Sequence, residues 1–255
     1  RGLVEDLPLE EWLKRVWIAE KSILTPHTTY LGSVLGFAEN LLSGVTCVMD
    51  MFWYPHETVR AARMLGMRVS TGGLFFDFPG IGERNHEKYI EEAKEFSQRF
   101  NGTTDVFPVV MPHGTYTVGP EHLKDAKSIA DANNGLFCTH AAETKAEQAD
   151  IQNRYGHTVI RHMDALDLLG KRTVLAHCVH VDEGEIDLMA KSGTTVVHNP
   201  MSNLKLASGI APTIKMQEAG VLLTLGTDGA ISGNDLDMWL AMRLASSLAK
   251  GVAME

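Results

Sequence analysis

Positive charge is scarce in this chain: 23 Lys and Arg stand against 32 Asp and Glu, a formal charge of -9. No local run supplies the basic stripe that a nucleic acid or an anionic membrane surface requires, so a small-molecule substrate is the expected partner. Long apolar runs are absent too. No window reaches the roughly 18 apolar residues of a membrane span, and the opening Arg1-Gly2-Leu3-Val4-Glu5-Asp6 has no signal-peptide core. A soluble, cytoplasmic protein is expected. The three cysteines, Cys47, Cys138 and Cys178, lie in separate apolar runs, which argues against a disulfide framework. No Cys-x-x-Cys occurs, so paired thiolates cannot hold a zinc ion here and nitrogen or oxygen donors must. Gly80-Ile81-Gly82 lacks the G-x-G-x-x-G spacing of a dinucleotide site, and neither a P-loop nor a Gly-x-Ser-x-Gly elbow is present.

What the chain does have is alternation. Helical spacing covers residues 7–23 and 26–42, followed by a short β-branched stretch at 45–50 that reads as a buried strand. The pattern then repeats: helices at 56–65, 87–100, 120–133, between 145 and 169, at 182–192 and at 210–219 precede strands at 68–75, 106–111, 136–140, 173–177, 194–198 and 221–227, and a last helix covers 236–248. Strands that are apolar throughout and alternate with helices belong to a parallel sheet covered on both faces. Seven strands are one short of a (β/α)8 barrel, so the expectation is a TIM-type barrel, read as one domain over 1–255, whose first strand lies upstream.

In a barrel, chemistry sits at the C-terminal ends of the strands. The polar endings here are Asp50, Asp77, His113, His140 with Glu143, His177 with His180, His198 with Asn199, and Asp228. Imidazole and carboxylate suit a borderline metal such as zinc. His140 three residues before Glu143 joins a metal donor to a carboxylate that can move the proton of a hydrolytic water. Asp228, in Gly226-Thr227-Asp228-Gly229, reads either as a helix cap or as a metal ligand or base. His177 reads as a ligand or as a hydrogen-bonding electrophile, and His180 as a supporting or an exposed group. His198-Asn199-Pro200 with Asn203 reads as a polar loop or a structural turn. His56, His86, His122, His157 and His162 are isolated, and the four tryptophans are read as core.

These motifs resemble the amidohydrolase superfamily, in its chlorohydrolase and aminohydrolase branch, and most resemble the S-adenosylhomocysteine/5'-methylthioadenosine deaminases. The resemblance is carried by Glu10-Glu11-Trp12-Leu13, Pro112-His113-Gly114-Thr115-Tyr116, His140-Ala141-Ala142-Glu143-Thr144, Leu175-Ala176-His177-Cys178-Val179-His180, His198-Asn199-Pro200-Met201-Ser202-Asn203-Leu204-Lys205-Leu206 and Gly226-Thr227-Asp228-Gly229, in that order. It implies that His140 and Asp228 bind one divalent metal, Zn by expectation with Fe as the alternative. It implies that Glu143 shuttles protons, that His177 orients the attacking hydroxide, and that Glu20 and His113 hold the nucleoside. Arg84 is matched to an arginine that holds the homocysteine carboxylate, while Gly72 and Gly73 stand where a second would be.

The implied reaction is hydrolytic deamination of an adenosine-type nucleoside: 5'-methylthioadenosine, S-adenosylhomocysteine or adenosine. The alternatives are a guanine-type deaminase, a chlorotriazine-type dechlorinase, or a catalytically impaired fragment. The resembling family ends its first strand in His-x-His, which supplies two further ligands, and no such pair occurs in this chain. The chain is therefore expected to be an internal fragment, also lacking the terminal β-rich subdomain, and to bind metal poorly alone. A homo-oligomer is left open.

Overall fold

The computed structural model describes residues 1–2 and 4–253. Seven strands alternate with helices, and neighbours in the sheet follow chain order from β1 to β7. The residues gather into two compact units. One holds Arg1–Val16, Gly114–Tyr116 and Thr139–Glu255; the other holds Trp17–His113 and Thr117–Cys138.

In the second of these, β1 (Cys47–Met49), β2 (Arg68–Phe75), β3 (Val106–Pro112) and the start of β4 (Leu136–Ala141) pair in parallel. Helix α2 (Pro26–Leu42) precedes β1, and α3 (Pro55–Leu65), α4 (His86–Phe100) and α5 (Pro120–Ala132) connect the strands. Thr25 and Thr28 cap α2 reciprocally and Pro26 opens it, while Gly66 at φ 69° closes α3, so side-chain chemistry sets these ends. A core forms where Phe37, Val59, Ala62 and Met67 meet Val69, Phe96, Phe100 and Val106. All of β2 after Arg68 is buried, as a strand covered on both faces must be. The expected buried strand at 45–50 is shorter, Cys47–Met49, and pairs with β2; Cys47 and Met49 are exposed.

In the other unit the end of β4 is followed by β5 (Thr173–His177), β6 (Thr195–His198) and β7 (Leu222–Leu225). Helices α6 (Lys145–Tyr155), α7 (Val159–Ala165), α8 (Glu183–Ser192), α9 (Pro200–Lys205), α10 (Thr213–Glu218) and α11 (Met238–Ala253) accompany them, and α1 spans Leu9–Ile23. Asp182 and Glu185 form a capping box at the head of α8. The helix expected at 210–219 is shorter because Pro212 sets its start as the N-cap. In β7, which pairs with β6, Leu222 is exposed. Among the described residues no helix is long and apolar enough to cross a membrane.

Gly72 and Gly73, which stand where the resemblance would place a second arginine, serve packing. A Cβ on Gly72 would lie 2.1 Å from the Val109 carbonyl oxygen, and one on Gly73 would lie 2.4 Å from the Ala93 Cβ of α4. Helix α4 thus lies against β2 at a distance only glycine allows. Gly73→Ala is expected to destabilise the fold by about 1–3 kcal/mol through overpacking, read as a lower urea midpoint; an unchanged midpoint would show that α4 moves away freely.

Candidate active site

Strand β4 carries His140 to its C-terminal end, and β5 ends on His177. Main-chain bonds from Cys178 N–H to the Ala141 carbonyl (3.0 Å) and from His180 N–H to the Ala142 carbonyl (2.9 Å) hold the two ends side by side. The imidazoles of His140 and His177 consequently stack with centroids 5.4 Å apart. Beyond β7, Asp228 completes the group, and backbone strain collects in the same place. Ala142, His177, Cys178 and Asp228 all have positive φ (53°, 76°, 46° and 59°), a region that side-chain-bearing residues enter at a cost and that clusters at functional sites.

Glu143 is 2% exposed. Its Oε1 accepts the Ser208 hydroxyl at 3.1 Å, and its Oε2 lies 3.7 Å from His177 Nε2. Burial pushes its carboxyl up to about 7; His140 and Ser208 pull it down and Asp228 pushes it further up. His177, 1% exposed, contacts Asn203 Oδ1 through Nδ1 at 2.8 Å. An amide oxygen only accepts, so the Nδ1–H of His177 donates to Asn203 and Nε2 is left facing Glu143. Burial also works against ionisation of Asp228, but the His177 and His140 imidazoles and the Ser202 hydroxyl (2.6 Å) outweigh it and hold the carboxyl below the usual range. His198 is buried and pushed down to about 4, first by burial and then by His177.

The segment after β6, for which sequence left loop and turn open, is helix α9. Pro200 starts it, and its turn aims Ser202 at Asp228 and Asn203 at His177. His180 is a supporting group: its Nε2 donates to the Ser208 carbonyl at 2.7 Å, which steadies the loop that presents Ser208 to Glu143. Sequence reasoning named Ser202 only within the motif that follows β6, without a role, and passed over Ser208 and Glu147. Glu147 stands three residues after Thr144, the pattern of an ordinary helix cap, and the serines carried no signal.

Glu20, His113 and Arg84 lie in the second unit. Trp53 Nε1–H donates to Glu20 Oε2 at 3.3 Å, and burial pushes the Glu20 carboxyl up to about 7 against that bond. Trp53 stacks on Phe76 (5.1 Å between centroids), and Phe76 stacks on His113 (5.0 Å). Glu20 and His113 thus belong to one aromatic cluster, in which Trp17 also touches His113. Arg84 stands apart: its Nε donates to Glu92 at 2.8 Å and its guanidinium lies over Tyr54. His86 and His122, isolated in the sequence, stack at 3.3 Å and pair with Asp125 (2.9 Å) and Asp77 (2.6 Å). His56 likewise pairs with Glu95. Among the described residues no three His, Cys, Asp or Glu are grouped to hold a metal ion.

Parallel strands in chain order, with their polar donors at the C-terminal ends, put the chain in the (β/α)-barrel class. The Amidohydrolase family model matches residues 1–255, and the chain belongs to that family. It is 42% identical over 258 residues to a 5-methylthioadenosine/S-adenosylhomocysteine deaminase of Carboxydothermus hydrogenoformans, covering all of this chain and 58% of that protein. A protein of the same description from Aquifex aeolicus is 37% identical over 256 residues, covering all of this chain and 60% of the relative. Among solved structures, an adenosine deaminase from Xanthomonas campestris with bound zinc superposes with a TM-score of 0.97 at 35% identity, over all of this chain and 58% of the other. The chain therefore spans about three fifths of the length of the relatives it matches.

Burial raises Glu147 as well as Glu143 from 4.5 to about 7. A carboxyl raised in the folded state contributes stability that is fully present below the unfolded value of 4.5 and is lost as pH rises through about 7. In metal-free protein, Glu147→Gln is therefore expected to gain stability relative to the unaltered protein between pH 5 and pH 8. Urea midpoints at the two pH values check this, and a difference independent of pH would refute the buried, proton-binding state of Glu147.

Proposed function

We propose that the protein to which this chain belongs hydrolytically deaminates an adenosine-type nucleoside, with 5'-methylthioadenosine, S-adenosylhomocysteine and adenosine as the substrate class. The observation that carries this reading is the state of Glu143: a buried carboxyl near neutrality, one oxygen tied to Ser208 and the other facing His177. A group that must take a proton from water and return it to a ring nitrogen and an amine works best when its pKa is near the operating pH. The names of the relatives in Carboxydothermus and Aquifex and of the Xanthomonas structure support the same class.

His140 and Asp228 would hold a divalent metal, zinc as in the Xanthomonas neighbour. An imidazole beside a carboxylate held ionised fits two positions of such a site. A divalent ion there supplies hydrolytic water activated at neutral pH. Glu143 Oε2 would accept a proton from the attacking water as the water oxygen adds to the amino-bearing ring carbon, and would deliver it to the ring nitrogen. His177, fixed by Asn203, orients the attacking oxygen through Nε2. A second proton transfer through Glu143 lets ammonia leave. Glu20 and His113 are proposed to contact the nucleoside, with the carboxylate of Glu20 accepting from sugar hydroxyls and the aromatic neighbours providing stacking surface.

The test is ammonia release by the full-length, zinc-loaded protein from these three nucleosides, guanine and a chlorotriazine. Glu143→Gln is expected to lower turnover by about 100-fold or more, the scale of lost acid–base catalysis, with metal content unchanged. Near-normal turnover in that variant, or activity confined to guanine or the chlorotriazine, would overturn the proposal.

A further inference from the structure

Glu147 is a buried carboxylate to which the proton transfers above give no task. It is 4% exposed and sits in the first turn of α6, where Thr144 Oγ1 accepts its main-chain N–H at 3.1 Å. Both of its carboxyl oxygens are used, and they point to different segments. Oε2 accepts the main-chain N–H of Glu143 at 2.8 Å, and Oε1 accepts the Thr115 hydroxyl at 2.8 Å. Thr115 belongs to the Gly114–Tyr116 segment, whose Gly114 forms a parallel bridge with His140. One side chain therefore ties the main chain of Glu143, the head of α6 and the segment beside His140.

The need for such a tie is visible in the backbone. Ala142, immediately before Glu143, has φ 53°, a left-handed conformation that costs an L-residue about 1–2 kcal/mol. Relaxation of that strain would rotate the peptide that carries the Glu143 N–H and swing its carboxyl away from His177. The two oxygens of one side chain, one on the Glu143 N–H and the other on the Thr115 hydroxyl, hold this peptide in its strained orientation. Burying a carboxyl here for packing alone would be unfavourable, since an apolar side chain of similar volume would fill the space without the desolvation cost.

We propose that Glu147 is a positioning residue for Glu143: by holding the Glu143 N–H and Thr115 together it fixes the carboxyl of Glu143 against His177. The kinetic consequence rests on the deaminase reading; the geometric one does not. The experiment compares Glu147→Ala, Glu147→Asp and Glu147→Gln in the full-length, zinc-loaded protein, measuring kcat and KM for 5'-methylthioadenosine and hydrogen exchange at the Glu143 amide. Gln keeps the reach: its amide oxygen accepts the Glu143 N–H and its NH2 donates to the Thr115 oxygen. Asp keeps the charge and loses the reach. The expectation is that Ala and Asp lower kcat by about 100-fold, as a displacement near 1 Å can, leave KM within about twofold, and speed exchange at Glu143, while Gln restores most of kcat and the protection. If Asp outperforms Gln, or if Ala leaves kcat and Glu143 exchange at their original values, the proposal is overturned. Should Ala fail to fold, the ranking of Asp and Gln decides. If the unaltered protein deaminates none of the nucleosides, the function proposed above fails, and the exchange measurement alone decides the role of Glu147.

Discussion

Carboxylates do not enter a protein interior without compensation, and this chain buries two of them within four residues of each other, with a third beside them. Glu143 and Glu147 are nearly inaccessible, and Asp228 faces the same imidazoles as Glu143. Leaving such a group unpaired costs several kcal/mol or forces it to bind a proton. Each of the three is met differently. Asp228 is surrounded by His177, His140, Ser202 and the Gly229 N–H and stays ionised. Glu147 receives two donors, and burial still wins. Glu143 receives one hydroxyl and sits near neutrality. The arrangement of β4, β5, α6 and α9 in this unit follows from supplying these donors.

The strain in the same region has the same origin. A strand that stopped in ordinary extended geometry would carry the next side chains to alternate faces. Left-handed residues directly after β4, at the end of β5 and after β7 turn the chain sharply instead. Those turns let Ala141 and Ala142 accept from Cys178 and His180, so the strain is offset by main-chain hydrogen bonds across neighbouring strand ends. None of the four residues is glycine. At all four the side chain or its immediate neighbour belongs to the candidate site: Glu143 follows Ala142, His177 precedes Cys178, and His177 and Asp228 are themselves members.

The fold was legible because its signals are local. Alternating apolar runs and helical spacing mark seven strands and the order of the helices, and His140, Glu143, His177 and Asp228 could be picked out as polar endings of apolar strands. The strand at 45–50 was harder to read: its composition looks buried, yet Cys47 and Met49 are exposed. The supporting groups were hidden for a different reason. Ser202, Asn203 and Ser208 act through partners 26 to 65 residues away in sequence, and their own neighbourhoods contain only turn-forming chemistry. Glu147 was masked by a local role it also performs, since a glutamate three residues after a threonine is sufficiently explained as part of a helix start. His86 and His122 were separated by 36 positions and met only when α4 and α5 packed.

Glu20 and Glu143 show why a shared pKa does not imply a shared role. Burial brings both to about 7. Around Glu143 stand groups that can exchange or orient protons: an imidazole whose Nε2 faces it and a hydroxyl that fixes the other oxygen. Around Glu20 stand an indole N–H, which donates and cannot accept, and the aromatic faces of the Trp53 and Phe76 stack. A carboxyl in the first setting has somewhere to pass a proton. In the second it can accept hydrogen bonds from a ligand's hydroxyls, as it does from the Trp53 N–H. Surroundings, more than the acid itself, therefore separate the group proposed to do chemistry from the group proposed to hold the nucleoside.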